Sequence, residues 1–158
     1  MDRQAFPFTT RAEFARHLSH CLGRAEHTLE MFDPDFAIWE LGSGATDALL
    51  RRFFQNGGRL QLVAHDGRHM ERDAPRFLRL LKDYAHLLEV RRTSQNLRQL
   101  TDSFCIADQR DIVRRFHAEH FRGEAVFDSP ADVQTSSERF ITIWLESSPG
   151  LYANSTGL

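Results

Sequence analysis

The sequence predicts an α/β domain, a sheet with covering helices, and three stretches carry that expectation. His27 to Phe32 is a strand-like run; a helical pattern starts at Thr46, Asn56-Gly57-Gly58 stops it, and Arg59 to Ala64 resumes an apolar run. Strand, helix, strand in that order is a crossover unit, which makes the two strands parallel. A second helical stripe and strand, Phe77 to Arg92, repeat the pattern. Leu100 to Phe116 reads instead as a β-hairpin, so antiparallel strands join the parallel ones.

At 158 residues, 41% hydrophobic and 27% charged, the chain has the composition of one folded domain, taken as 1–150 with a loose tail over 151–158. No run is long enough to span a membrane and no signal-peptide pattern opens the chain, so a cytoplasmic location is the default expectation. Cys21 and Cys105 lie in apolar patterns and read as small buried hydrophobes. A net charge of −2 argues against a dedicated nucleic-acid binder. There is a local exception: Arg91, Arg92, Arg98, Arg110, Arg114, Arg115 and Arg122 fall in one third of the chain, with a solvated face as the preferred reading.

Taken in order, Met1 to Phe8 is an extended lead-in whose Pro7 is unsuited to an inner ladder position. Thr10-x-x-Glu13 is a capping box, and Phe14, Leu18, Cys21, Leu22 and Ala25 recur at helical spacing, which predicts a helix over 11–24. Asp33-Pro34-Asp35-Phe36 ends the first strand. Its aspartates could edge a site, but the string is turn-forming in its own right, and the turn is preferred.

The second strand runs into His65-Asp66-Gly67-Arg68-His69, read as a loop. On the crossover topology His65 and Asp66 share a sheet edge with Asp33, which is the strongest argument for a polar crevice. Asp73-Ala74-Pro75 opens a third helix with Phe77, Leu80, Leu81 and Tyr84 on its apolar stripe. The third strand is 88–92, and a polar link over 93–99 leads into the hairpin. Because Asp108-Gln109-Arg110 lacks glycine, a type I turn with a bulge or a longer loop is expected there over a two-residue mirror-image turn.

His117-Ala118-Glu119-His120 would place two histidines on one helix face. An exposed loop with two ordinary histidines is preferred, and no metal is expected. Glu124 to Phe127 is a strand. Ser129-Pro130 then caps and opens a last helix that buries Phe140, Ile143 and Trp144.

This order of elements, with Phe140-x3-Trp144 in the last helix, resembles one half of a phospholipase D-like protein across nearly the whole chain. Members of that family carry His-x-Lys-x4-Asp on a strand, and Thr101-x-Ser103-x4-Asp108 holds the same frame with Phe104 to Ala107 as the apolar run. In the family the His attacks phosphorus and the Lys supplies charge to the phosphoryl oxygens. Threonine is a poor nucleophile without an adjacent base, and serine brings no charge. The Gly-Ser that usually ends the second strand is replaced by Arg114-Arg115-Phe116-His117. The resemblance implies an α/β fold, a phospholipase D-like mixed sheet flanked by helices on both faces, and, because active members join two halves and this chain has one, a symmetric homodimer. Similar bacterial domains sometimes occur beside acetyltransferase domains, which implies an acetyltransferase association and a regulatory role.

Three functions follow. The first is a non-catalytic binding or regulatory module of unknown ligand, with Thr101, Ser103 and Asp108 lining a vestigial site and no cofactor. The second is a phosphoesterase whose chemistry has moved to other residues of the crevice formed by Asp33, His65, Asp66, His117 and His120. The third is nucleic-acid binding through the Arg91 to Arg122 cluster, with Arg114 and Arg115 as phosphate contacts.

Overall fold

A computed structural model of the chain describes residues 2–151. In chain order the elements are β1 (Gln4–Phe8), α1 (Arg11–Arg24), β2 (Thr28–Asp33), α2 (Gly44–Gln55), β3 (Arg59–Ala64), α3 (Arg68–Asp73), α4 (Pro75–Asp83), β4 (Leu88–Thr93), β5 (Ser103–Ala107), β6 (Asp111–Arg115), β7 (Gly123–Phe127), α5 (Pro130–Leu145) and β8 (Ser147–Pro149). The eight strands form one mixed sheet in the order β1-β7-β6-β5-β2-β3-β4-β8. Its parallel centre is β2, β3 and β4, with Leu29 opposite Leu60 and Leu60 opposite Leu88. All other pairings are antiparallel. Pro7 sits on β1, at the sheet edge, where a missing N–H costs no inner ladder bond.

Strand alternation sends side chains to two separate cores. Leu29, Met31, Leu62, Cys105 and Val113 face one side, where α1, α2 and α4 pack. Phe32, Val63, Phe104, Ile106 and Ile112 face the other, covered by Val133, Phe140 and Ile143 of α5. Helices therefore flank both faces. The local stop and start signals hold: the Thr10 hydroxyl accepts from the Glu13 N–H while the Glu13 carboxylate accepts from the Thr10 N–H, and Ser129 caps α5 with Pro130 in its first turn. Cys21 and Cys105 are buried against each other, and that contact together with burial holds the Cys21 thiol protonated.

Several expectations need correction. α2 begins at Gly44, ahead of Thr46, because the Ser43 hydroxyl accepts from the Thr46 N–H and so caps the helix. The loop expected over 65–69 runs directly into a short helix, α3, with Met70 buried beneath it. Trp144 is only half-buried: its ring stacks on Phe140 and the Arg91 guanidinium covers it at 4.1 Å. Leu151, placed in the tail by the sequence reading, is buried in the larger core, and the remainder of that tail, 152–158, lies outside the described residues.

The hairpin connection is three residues, Asp108-Gln109-Arg110 between the paired Ala107 and Asp111, as the longer-loop alternative had it, but its backbone is not that of a type I turn. Asp108 and Gln109 both have φ of 54°, the sign a mirror-image turn requires, and the Arg110 N–H closes it onto the Ala107 carbonyl at 3.0 Å. Tertiary bonds hold this backbone where glycine would ordinarily be needed. The Asp108 carboxylate accepts from the N–H groups of Glu26, His27 and Thr28 at 3.0, 2.7 and 3.0 Å. Gln109 donates to Glu30 at 2.7 Å. Beside them, the wholly buried Asp111 accepts from Arg24 of α1 and from the Asp128 N–H, pinning the turn to the end of α1.

Glu30 faces α5 and is buried, and burial raises its carboxyl above the usual glutamate range despite hydrogen bonds from Gln109 and Ser137. A carboxyl whose folded pKa is raised contributes stability below its unfolded pKa and loses it as pH rises through the folded value. Glu30→Gln is therefore expected to raise the melting temperature at pH 7, and the gain should vanish below the ordinary glutamate pKa. Thermal melts of both proteins across that range check this; an equal or lower midpoint for the variant at pH 7 counts against it.

Candidate functional site

The carboxyl ends of β2, β3 and β4 and the start of β5 lie along one edge of the sheet, and most of the polar residues singled out from the sequence gather there. Asp33 ends β2, and its two oxygens do different work. Oδ2 accepts from the N–H groups of Asp35 and Phe36, at 3.1 and 2.7 Å, which is the turn chemistry read from the sequence. Oδ1 accepts from Arg115 Nη2 at 2.7 Å. Arg115 ends β6 opposite Ser103 at the start of β5, and its Nε and Nη2 lie 3.3 and 3.1 Å from the Ser103 hydroxyl.

All three residues are at most 3% exposed, so the space is filled by an Asp–Arg–Ser cluster against the Phe14 ring. Burial lowers the Arg115 pKa, and the Asp33 carboxylate opposes that shift. Arg115 Nη1 reaches further, to the carbonyls of Ala118 and His120, and so anchors the loop that follows β6.

His65, just past β3, has both ring nitrogens engaged: Nε2 lies 2.8 Å from the Leu100 carbonyl and Nδ1 lies 2.7 Å from the Thr93 hydroxyl. A carbonyl only accepts, so in the neutral ring Nε2 carries the proton and Nδ1 accepts from Thr93. Neither nitrogen is then available as a base. The neighbouring Thr101 is exposed and its carbonyl accepts from the Ala118 N–H. Asp66 is clamped by Arg68, whose side chain and N–H together hold its carboxyl down at about 2.

His117 and His120 pair with each other, ring centroids 5.5 Å apart, and His117 Nδ1 accepts from the Glu119 N–H. They sit in the irregular loop between β6 and β7, with His120 exposed and His117 half-buried. Among the described residues no group of three His, Cys, Asp or Glu side chains is arranged to hold a metal ion.

Asp108 does not join this edge. It lies past the opposite end of β5 from Ser103, so Thr101 and Ser103 are brought near Asp33 and Asp108 is not. The arginine cluster is also divided. Arg91 pairs with Glu89, Arg110 with Asp111 and Asp128, Arg114 with Glu124 and Arg115 with Asp33, while Arg92, Arg98 and Arg122 carry no ion pair among the described residues. Arg114 and Arg115, expected as phosphate contacts, are thus committed to carboxylates. The sequence reading missed Thr93 as the partner of His65 and Arg115 as the partner of Asp33. For Arg115 a signal existed, since a three-residue turn after Ala107 places it opposite Ser103.

A family model described as Domain of unknown function (DUF7931) matches residues 10–152. No curated protein matches the sequence. Among solved structures, Nuc from Salmonella typhimurium, a phospholipase D family member, superposes with a TM-score of 0.69 at 14% identity, over 94% of this chain and 99% of Nuc. NucT from Helicobacter pylori gives a TM-score of 0.65 at 10% identity, over 94% of this chain and 100% of NucT. TrmBL2, an archaeal chromatin protein described as showing a novel mode of DNA binding, gives 0.70 at 12% identity over 93% of this chain. The chain spans 54% of TrmBL2, about half its length. At these identities the likeness establishes the fold, which is phospholipase D-like.

Proposed function

The chain belongs to the domain of unknown function DUF7931, and we propose that it is a binding or regulatory module of phospholipase D-like architecture that carries out no phosphodiester chemistry. The observation that carries this reading is the state of Ser103. In the family frame its position belongs to the lysine that meets phosphoryl oxygens. Here the hydroxyl is 1% exposed and is hydrogen-bonded by Arg115, whose charge is already neutralised by Asp33.

Electrostatic stabilisation of a developing oxyanion requires donors aimed at open space where substrate can sit, and this cation faces a carboxylate instead. Thr101, at the nucleophile's position, is exposed, but no side-chain base lies within hydrogen-bond distance of its hydroxyl among the described residues. A relocated phosphoesterase is weakened as well, because His65 has no free nitrogen, Asp66 is held by Arg68 and His117 is tied to its own loop, which leaves His120 as the remaining base of that set. The division of the arginines between carboxylate pairs favours discrete binding over a continuous nucleic-acid face.

Incubating the purified chain with bis(p-nitrophenyl) phosphate, phosphatidylcholine vesicles and single-stranded DNA tests the reading. Hydrolysis no faster than in buffer is expected for all three. Turnover that disappears in Thr101→Ala or His65→Ala would overturn it.

A further inference from the structure

We infer that the crevice at the carboxyl ends of β3 and β4 binds a small oxyanion, a phosphate- or carboxylate-bearing molecule, through Arg92 and Arg98. This gives the proposed module a ligand class, and rests on that reading only in that the chain holds its ligand without turning it over. The crevice encloses about 380 Å³, the scale of a small-molecule site. In open α/β sheets that edge is where ligands collect, because strand ends leave a concavity that loops line.

The fold brings the two cations there by separate routes. Arg92 is opposite Ala64 of β3 in register, and by alternation it stands on the same face as the buried Val90. The small Ala64 side chain leaves room above the sheet, and α3 with Met70 forms the far wall. Arg98 enters from the link after β4, one residue past the short 3-10 turn at Gln95–Leu97.

The charge is unbalanced. Arg68 also lines the crevice but is spent on Asp66, and Arg91 is turned to Glu89 and to the Trp144 carbonyl. That leaves Arg92 and Arg98 without an ion pair: the Asp66 carboxylate feels the Arg92 charge but is held by Arg68, and the exposed Glu71 is the other acidic group of the lining. Two guanidinium groups sharing a concave polar site repel one another, and each offers a planar fork of donors suited to a phosphate or carboxylate. Val90, Met70 and Leu151 supply an apolar floor for the uncharged part of the ligand.

Titration calorimetry of the full chain with pyrophosphate and, separately, with citrate tests this. Saturable binding of at least one probe is expected, weakened by about tenfold or more in Arg92→Ala/Arg98→Ala and by added salt. The charge-keeping pair Arg92→Lys/Arg98→Lys should retain most of the affinity, and Arg122→Ala, outside the crevice, should bind as the unaltered chain does. Binding of pyrophosphate alone marks a phosphate ligand, and of citrate alone a carboxylate ligand. No binding of either, or binding that the alanine pair leaves unchanged, overturns the proposal. Failure here with no hydrolysis of phosphodiesters removes the crevice but leaves the non-catalytic module standing; hydrolysis removes the module whether or not the crevice binds.

Discussion

Arg115→Met is expected to lower stability by about 3–5 kcal/mol, because it strands the buried Asp33 carboxylate without its counter-ion. For a domain of this size that corresponds to a fall in melting temperature on the order of 10 °C. Adding Asp33→Asn removes the stranded charge while keeping an acceptor for the Asp35 and Phe36 N–H groups. The double variant should therefore be more stable than Arg115→Met alone at pH 7. A single variant that melts within a degree or two of the parent would mean that Arg115 is not the counter-ion the geometry makes it, and would reopen the site to a phosphate.

Asp108→Ala is expected to cost about 2–3 kcal/mol, from the loss of charge-assisted hydrogen bonds to three backbone N–H groups. Alanine at a φ of 54° adds strain that glycine would avoid, so Asp108→Gly should be less damaging by about 1 kcal/mol. Burial opposes ionisation of Asp108, but the N–H donors of Thr28, His27 and Glu26, with the Arg110 charge, outweigh it and hold the carboxyl below the usual aspartate range. A depressed folded pKa gives stability that is present above the unfolded pKa and lost as pH falls through the folded one. The gap between Asp108→Asn and the parent should accordingly narrow below about pH 4, near the unfolded aspartate pKa. Denaturant titrations at two pH values measure it, and a gap independent of pH would exclude the carboxylate as the cap. If the losses appear as expected, the last residue of the Thr101-x-Ser103-x4-Asp108 frame is kept in place by folding, whatever becomes of the chemistry of the other two.

The candidate site was only half legible. The crossover topology was enough to place His65 and Asp66 on the same edge as Asp33, because strand direction follows from the order of elements. That Ser103 faces a guanidinium could not be read the same way. The reading took the Arg91 to Arg122 stretch as one basic surface, yet adjacent arginines on a strand point to opposite faces: Arg114 meets Glu124 on the α5 side, and Arg115 turns inward to Asp33.

What the amino-acid order settled without help is whatever a few neighbouring residues can enforce: the Thr10 and Ser129 caps, the stop at Gly57 and Gly58, the turn at Asp33, the alternation that makes a strand. These interactions close within one turn of chain, so composition and spacing reveal them. What only the folded sheet decided are the pairings between residues far apart, Asp33 with Arg115 across 82 positions and Asp108 with the N–H of Thr28 across 80. Each depends on the strand order β6-β5-β2, which brings a late hairpin against an early strand, and no local pattern encodes which cation a buried carboxylate will meet. The mirror-image turn at Asp108 and Gln109 has the same origin: its left-handed backbone is held by bonds that exist only once β2 lies beside β5.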